Sequence, residues 1–321
     1  MSNEAKTKSA KNILIGDIGG TNIRLGIVGA GGRLKTQIYN NKIINFLSLE
    51  DALRDFLRQT NYKPTRALLG VNGPVSPDGT EVYPVNTRWA FKADAIKTQL
   101  GLDTTFINDF VLKSYGVLAL KRREYVKLGG KEPVKGAVMA VIGPGTGVGA
   151  GFLIAGADGK YKIYASEAGH ATITPRSPAE EKVWRAFVES HAHVSAERVG
   201  ALASLPAIFQ LLGGETLQPE QVTTLAMAGN NMALQAFYVQ LGFIGTAAGN
   251  LALTVKALGG VYIVAEPLAD CIDLVKSSPL YENFISKGRF RKFMEQIPLY
   301  LVTGDDIVMR GVQLMAKEAM K

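Results

Sequence analysis

The chemistry available to this sequence lies in two glycine-threonine turns and a few carboxylates. Asp17 closes the apolar run Ile13–Asp17 and stands just before Gly19-Gly20-Thr21-Asn22. A second apolar run, Val138–Ile142, leads into Gly143-Pro144-Gly145-Thr146-Gly147. Superposing Gly20 on Gly145 also superposes Thr21 on Thr146 and Gly26 on Gly151, so the two stretches form an internal repeat. Each reads as strand, tight turn, strand. Glycine at such a turn admits positive φ and close approach to a ligand, with consecutive N–H groups and the Thr hydroxyl turned inward. That is a cradle for phosphate oxygens, and one cradle per half of the chain suits a single polyphosphate gripped from both sides. A Walker loop would need a lysine that neither turn has. A dinucleotide fingerprint over Gly145-x-Gly147-x-x-Ala150 should open a helix, whereas Gly151–Ile154 reads as a strand. Two plain hairpin turns in a β-rich core are the remaining alternative.

Asp17, beside a phosphate turn, is a candidate for the shell of a Mg²⁺ ion or its water. The alternative is a side chain bonded to its own turn. Asn108-Asp109 follows the short strand Thr104–Ile107 and opens a helix. Both are favoured helix caps, and Asp109 at a strand's carboxyl end is equally a candidate proton acceptor for a substrate hydroxyl. Glu167-Ala-Gly-His170 offers a metal pair or polar groups for sugar hydroxyls, and no second His or Cys group supports the metal. His191 and His193 read as solvated, and Glu197 as a surface glutamate at a helix start.

The elements that would hold these residues alternate between strand and helix. Leu34–Tyr39 reads as a strand and Leu47–Gln59 as a helix, with apolar positions at Leu49, Leu53, Phe56 and Leu57. Ala67–Val71 is a strand running into Asn72-Gly73-Pro74, and Asp109–Leu120 is an apolar-striped helix. The pattern restarts at Val138. Helices dominate from Ala179 to Leu258, Gly260–Val264 and Leu299–Val302 read as buried strands, and Ile307–Met320 as a final helix. This is an α/β protein with a seam near Lys121–Lys135.

Bulk properties narrow the partners. The 321 residues suffice for two packed lobes. A single cysteine, Cys271, excludes an internal disulfide or thiolate metal cluster and suits a reducing cytoplasm. Met1–Asn12 is polar and basic, unlike a signal peptide. The uncharged stretch Gly136–Ala157 is broken by Pro144 and glycines, and Gln221–Val255 by polar residues; neither reads as a membrane span. The second is expected in a core or a subunit contact. The net charge of +8 is scattered, which favours a mild pull on anionic substrates over nucleic-acid binding.

Together these residues resemble the bacterial glucokinase family, within the hexokinase, actin and Hsp70 ATPase superfamily. The resemblance runs along nearly the whole chain. It is carried by Asp17-Ile-Gly-Gly-Thr-Asn22, Gly73-Pro-Val75, Asn86-Thr-Arg-Trp89-Ala-Phe91, Ile107-Asn-Asp-Phe110, Gly143-Pro-Gly-Thr-Gly147, Glu167-Ala-Gly-His170 and His193-Val-Ser-Ala-Glu-Arg198. Gly249-Asn-Leu-Ala-Leu253, Gly259-Gly-Val261 and Lys287-Gly-Arg-Phe290 match as well. The resemblance implies a two-lobed ribonuclease-H-like fold of the actin/hexokinase type with its active site in a cleft between lobes. Residues 1–120 would form a small lobe, 121–304 a large lobe, and 305–321 a helix returning to the small one.

By the same resemblance Asn108, Asp109, Glu167, His170 and Glu197 would bind glucose, with Asp109 the base at the 6-hydroxyl. Gly19, Gly20, Thr21, Asn22, Gly145, Thr146 and Gly147 would hold ATP, and Asp17 the Mg²⁺ shell. It implies a cytoplasmic glycolytic glucokinase, a homodimer, without the structural zinc of the related ROK sugar kinases. Ala265-Glu266-Pro267 stands where the family has a glycine pair against the adenosine, and Ile307–Gly311 replaces its Gly-Leu-x-Gly. These departures keep two alternatives in view: a sugar-binding sensor with a degraded nucleotide site, and a kinase using another hexose or phosphoryl donor.

Overall fold

The computed structural model describes residues 12–83 and 89–320. Asn86-Thr87-Arg88 and nearly all of the polar leader lie outside the described residues. The chain divides into two compact units, one running to Leu120 and resuming at Asp306, the other comprising Lys121–Asp305.

The first unit is built on strands β1 (Ile13–Ile18), β2 (Asn22–Gly29), β3 (Arg33–Leu34), β4 (Tyr39–Lys42), β5 (Arg66–Val71) and, after the small hairpin β6 (Glu81–Val82) and β7 (Phe91–Lys92), β8 (Asp103–Asn108). Their order is β3-β2-β1-β5-β8, with β4 also on β2. Every residue of β1 is buried, as a strand covered on both faces requires. Leu14 and Ile18 point to one face, against Leu53 and Phe56 of helix Leu49–Thr60. Ile13 and Ile15 point to the other, against Leu112, Val308 and Val312 of helices Asp109–Val117 and Ile307–Glu318. Each such aliphatic side chain contributes roughly 1.5–3 kcal/mol on burial. Glycines let the last two helices close up. A Cβ on Gly311 would sit 1.9 Å from the Leu112 carbonyl oxygen, and one on Gly116 would sit 2.3 Å from that of Ile307.

The expected strand Leu34–Tyr39 is two short strands instead. Between them the Thr36 hydroxyl accepts the Ile27 N–H at 3.1 Å, replacing a strand carbonyl and breaking the ladder. The expected helix Asp109–Leu120 ends at Val117.

The second unit's sheet comprises β9 (Tyr125–Gly129), β10 (Met139–Pro144), β11 (Val148–Ala155), β12 (Tyr161–Ser166), β13 (Val261–Ile263) and β14 (Leu299–Val302), ordered β12-β11-β10-β13-β14-β9. Its core is organised by the helix Asn231–Val255, capped by Asn230, whose side chain accepts the Ala233 N–H. This is the one described helix long and apolar enough to span a membrane, and 83% of its most apolar window is buried within the chain. Within Gln221–Val255, the Asn231–Val255 helix is thus a core helix, as one of the two expectations has it.

The repeat seen in the turns extends to topology. In the first unit β2 is antiparallel to β1, and β5 and β8 follow in parallel. In the second, β11 is antiparallel to β10, and β13 and β14 follow in parallel. Each glycine-threonine turn thus leaves a parallel sheet at its carboxyl edge, where open α/β sheets bind ligands.

Candidate active site

Register gathers the first unit's candidates at one edge. Ile18 pairs with Val71, and Val71 with Asn108, so the Gly19–Thr21 turn, the loop from Asn72 and the start of the Asp109 helix share the carboxyl edge. Asn108 caps that helix: its Oδ1 accepts the N–H of Phe110 at 2.9 Å, and its Nδ2 donates to the Gly73 carbonyl at 3.1 Å. The cap reading holds for Asn108. Asp109 is the first helical residue, half-buried, with Oδ2 3.1 Å from Lys113 Nζ one turn on.

Asp17 is only 7% exposed. It lies on the face of β1 that packs the Ile307–Glu318 helix, opposite Arg24 in the hairpin register. Arg24 Nη2 is 3.1 Å from Asp17 Oδ2, and its Nη1 bonds Asp306 at the head of that helix. One guanidinium therefore spans two carboxylates. Arg24 and Asp306 are absent from the sequence reading, although counting outward from the turn pairs Ile18 with Ile23 and Asp17 with Arg24.

The turns themselves differ from expectation in one respect. None of Gly19, Gly20, Gly145 or Gly147 takes positive φ. Gly19 N–H is spent on the Asn22 carbonyl at 3.0 Å, and Gly145 N–H on that of Gly147 at 2.7 Å. Space around Gly20 and Gly145 is open, with no atom within 4 Å of an added Cβ. Gly147 is different: its added Cβ would lie 2.3 Å from Glu197 Oε2. Room, not backbone dihedral, is what these glycines supply.

In the second unit a short ladder joins the loop after β12 to the segment before the Ala196–Gly200 helix. Ala196 N–H donates to the Ala171 carbonyl at 3.0 Å and Ile173 N–H to that of Val194 at 3.2 Å. This brings Glu167, His170 and Glu197 together. His170 Nε2 is 3.7 Å from Glu167 and its Nδ1 3.8 Å from Glu197 Oε1. Glu167 is 90% exposed at its side chain and Glu197 36%, so one carboxylate reaches into solvent while the other is set back. His193 is exposed on a loop, as expected, and its Nε2 also bonds the His170 carbonyl at 2.9 Å. Among the described residues no group of three or more His, Cys, Asp or Glu is arranged to hold a metal ion.

Duplicated sheets of this order, each with a glycine-threonine turn at its carboxyl edge, define an α/β protein of the actin-like ATPase fold. The glucokinase family profile matches residues 14–319. The chain is 33% identical to the glucokinase of Nitrobacter hamburgensis over 309 residues, covering 93% of this chain and 95% of that one. It is 33% identical to the Yersinia pestis glucokinase over 303 residues, or 90% and 91% of the two chains. Among solved structures, a glucokinase from an Antarctic psychrotroph superposes with a TM-score of 0.82 at 28% identity, covering 96% of this chain and 99% of that one. A Balamuthia mandrillaris glucokinase in complex with glucose shares the fold at a TM-score of 0.79 and 20% identity, covering 98% and 99%. The chain belongs to the glucokinase family.

Proposed function

We propose that this protein transfers the γ-phosphoryl group of Mg-ATP to the 6-hydroxyl of glucose. The supporting observation is the gathering of Asp17, the Gly19–Thr21 turn and Asp109 at one sheet edge. Family membership and the similar glucokinases support the same reading. The 6-hydroxyl oxygen attacks the γ-phosphorus, the bond to the ADP oxygen breaks, and the hydroxyl proton passes to Asp109. Phosphoryl transfer asks chiefly for positioning and neutralisation of charge. Gly19, Gly20, Thr21, Asn22, Gly145, Thr146 and Gly147 hold the phosphates, with the backbone N–H groups not already spent within the turns.

Asp17 fits the outer shell of Mg²⁺: it is a single carboxylate at a strand end, with Arg24 already on one oxygen. When bound, the ion neutralises charge on the β- and γ-phosphates. Asn108, Glu167, His170 and Glu197 bind the sugar hydroxyls. The protein works in the cytoplasm, in glycolysis, as a homodimer.

Separate calorimetric titrations of glucose and Mg-ATP, with an assay for glucose 6-phosphate, test this reading. Asp109→Ala should lower turnover by about 10³-fold, within the range of general-base removal, while glucose still binds. Near-normal turnover would remove Asp109 from its role. The sensor reading rests on Glu266, which is exposed and opens a short helix just beyond β13. Val264 N–H bonds the Ile142 carbonyl at 2.9 Å, so this carboxylate stands at the same sheet edge as the Gly145–Gly147 turn. Heat from sugar without heat from nucleotide, and no product, would favour the sensor. Sedimentation velocity tests the dimer.

A further inference from the structure

The Glu197 carboxylate faces two ways. Oε2 accepts the Val148 N–H at 2.9 Å, and Oε1 stands 3.8 Å from His170 Nδ1. Val148 is the first residue of β11, directly after the Gly145-Thr146-Gly147 turn, and is buried. Its carbonyl is equally confined: a Cβ on Gly169, in the middle of the Glu167–His170 loop, would lie 1.8 Å from that oxygen. The peptide groups flanking Val148 are therefore gripped on the N–H side by Glu197 and covered on the C=O side by the sugar loop. Glu197 is itself fixed, because Ser195 is buried and caps its helix through the Arg198 N–H at 3.2 Å. The contact with Gly147 completes the block, since even a methyl group there would collide with Oε2.

We propose that Glu197 is a positioning residue for the Gly145–Gly147 turn, linking the sugar loop to the phosphate turn within one unit. This rests on the glucokinase reading and goes beyond it. A residue that only touched sugar would have no reason to hold a turn amide. With one carboxylate serving both, anything that fixes Glu197 also fixes the turn, and the linkage is reciprocal.

Three variants separate the linkage from a sugar contact alone. Glu197→Ala removes both contacts, and Glu197→Gln keeps an oxygen for the Val148 N–H. Gly147→Ala keeps every sugar-binding side chain chemically intact and displaces Glu197 by collision. In the ligand-free protein, amide exchange at Val148 should quicken at least tenfold in Glu197→Ala and stay within about twofold in Glu197→Gln, as loss of the acceptor in one and its retention as an uncharged amide oxygen in the other imply. The affinity of sugar-free protein for a non-hydrolysable ATP analogue should fall about fivefold in Glu197→Ala and recover in Glu197→Gln. Glucose affinity should fall about tenfold in Gly147→Ala, although that change lies in the nucleotide turn.

Unchanged Val148 exchange and unchanged nucleotide affinity in Glu197→Ala, with weakened glucose binding, would overturn the proposal and leave Glu197 a sugar contact. Should Glu197→Ala not fold, unchanged glucose affinity in Gly147→Ala overturns it instead. A parent protein that neither binds nor phosphorylates glucose would sink the glucokinase reading, and Val148 exchange would still decide whether Glu197 holds the turn.

Discussion

Arg24 faces Asp17 across the first hairpin, its Nη2 3.1 Å from the Asp17 carboxylate, while the same guanidinium holds Asp306. The relationship follows from register: both residues point to the sheet face that receives helix Ile307–Glu318. It also bears on Asp306, whose backbone lies in the left-handed region at φ +55°. A non-glycine residue there carries strain, which the ion pair offsets.

Arg24→Ala should therefore destabilise the protein by about 2 kcal/mol, less than a fully buried pair because Arg24 remains partly exposed. Urea denaturation measures it. Arg24→Lys should restore only part of the loss, since a point charge cannot span two carboxylates as a planar fork does. Equal stability of all three proteins would show that the bridge contributes nothing.

The contact between Gly311 and Leu112 sets up a second test. Gly311→Ala should cost roughly 1–3 kcal/mol, as overpacking does when the obstructing atom is backbone. The strain falls on the helix that Asp109 opens, so turnover should drop along with the thermal midpoint. A variant with parental midpoint and turnover would mean that the two helices separate freely.

The hairpins are legible in the sequence because apolar runs and glycine-threonine turns are local signals, and the duplicated turn foreshadows the duplicated topology. Asp109 at a strand end is legible for the same reason. Arg24–Asp306 is not, because the partners are far apart in sequence and only the helix packing joins them. Glu197 reads as a surface residue, since nothing local reveals the Val148 N–H it accepts. Of the two properties expected of the turn glycines, positive φ is not used and open space is: Gly20 and Gly145 leave room, and at Gly147 the constraint is a neighbouring carboxylate.

Lys287 provides a test in pH. Its Nζ donates to the Asn250 side chain at 2.7 Å and the Thr246 carbonyl at 3.1 Å. Burial first, and the nearby Arg176 second, lower its pKa from 10.5 to about 8. Between those values the folded state binds fewer protons than the unfolded chain, so Lys287 makes stability rise with pH. The contribution is present above 10.5 and lost as pH falls through about 8. The stability of the parent relative to Lys287→Met should climb by about 1–2 kcal/mol from pH 8 to 10, allowing for solvent screening. A difference independent of pH would place Lys287 at its ordinary value.

Cys271 is buried, and its surroundings, chiefly desolvation and then Asp270, push the thiol up to about 11. At pH 8 a thiol reagent should label the native protein at least about 100-fold more slowly than the urea-unfolded chain, because both access and thiolate are withheld. Rapid native labelling would show that the segment around Cys271 opens readily.

The return of helix Ile307–Glu318 to the first sheet has a consequence for biosynthesis. One face of β1 stays only partly covered, by Leu112, on the ribosome until Val308, Met309 and Val312 have been made, after every residue of Lys121–Asp305 has been translated. The earliest-made strands are thus among the last to be sealed, and a chaperone's hold on the nascent chain would be expected to outlast completion of the second unit.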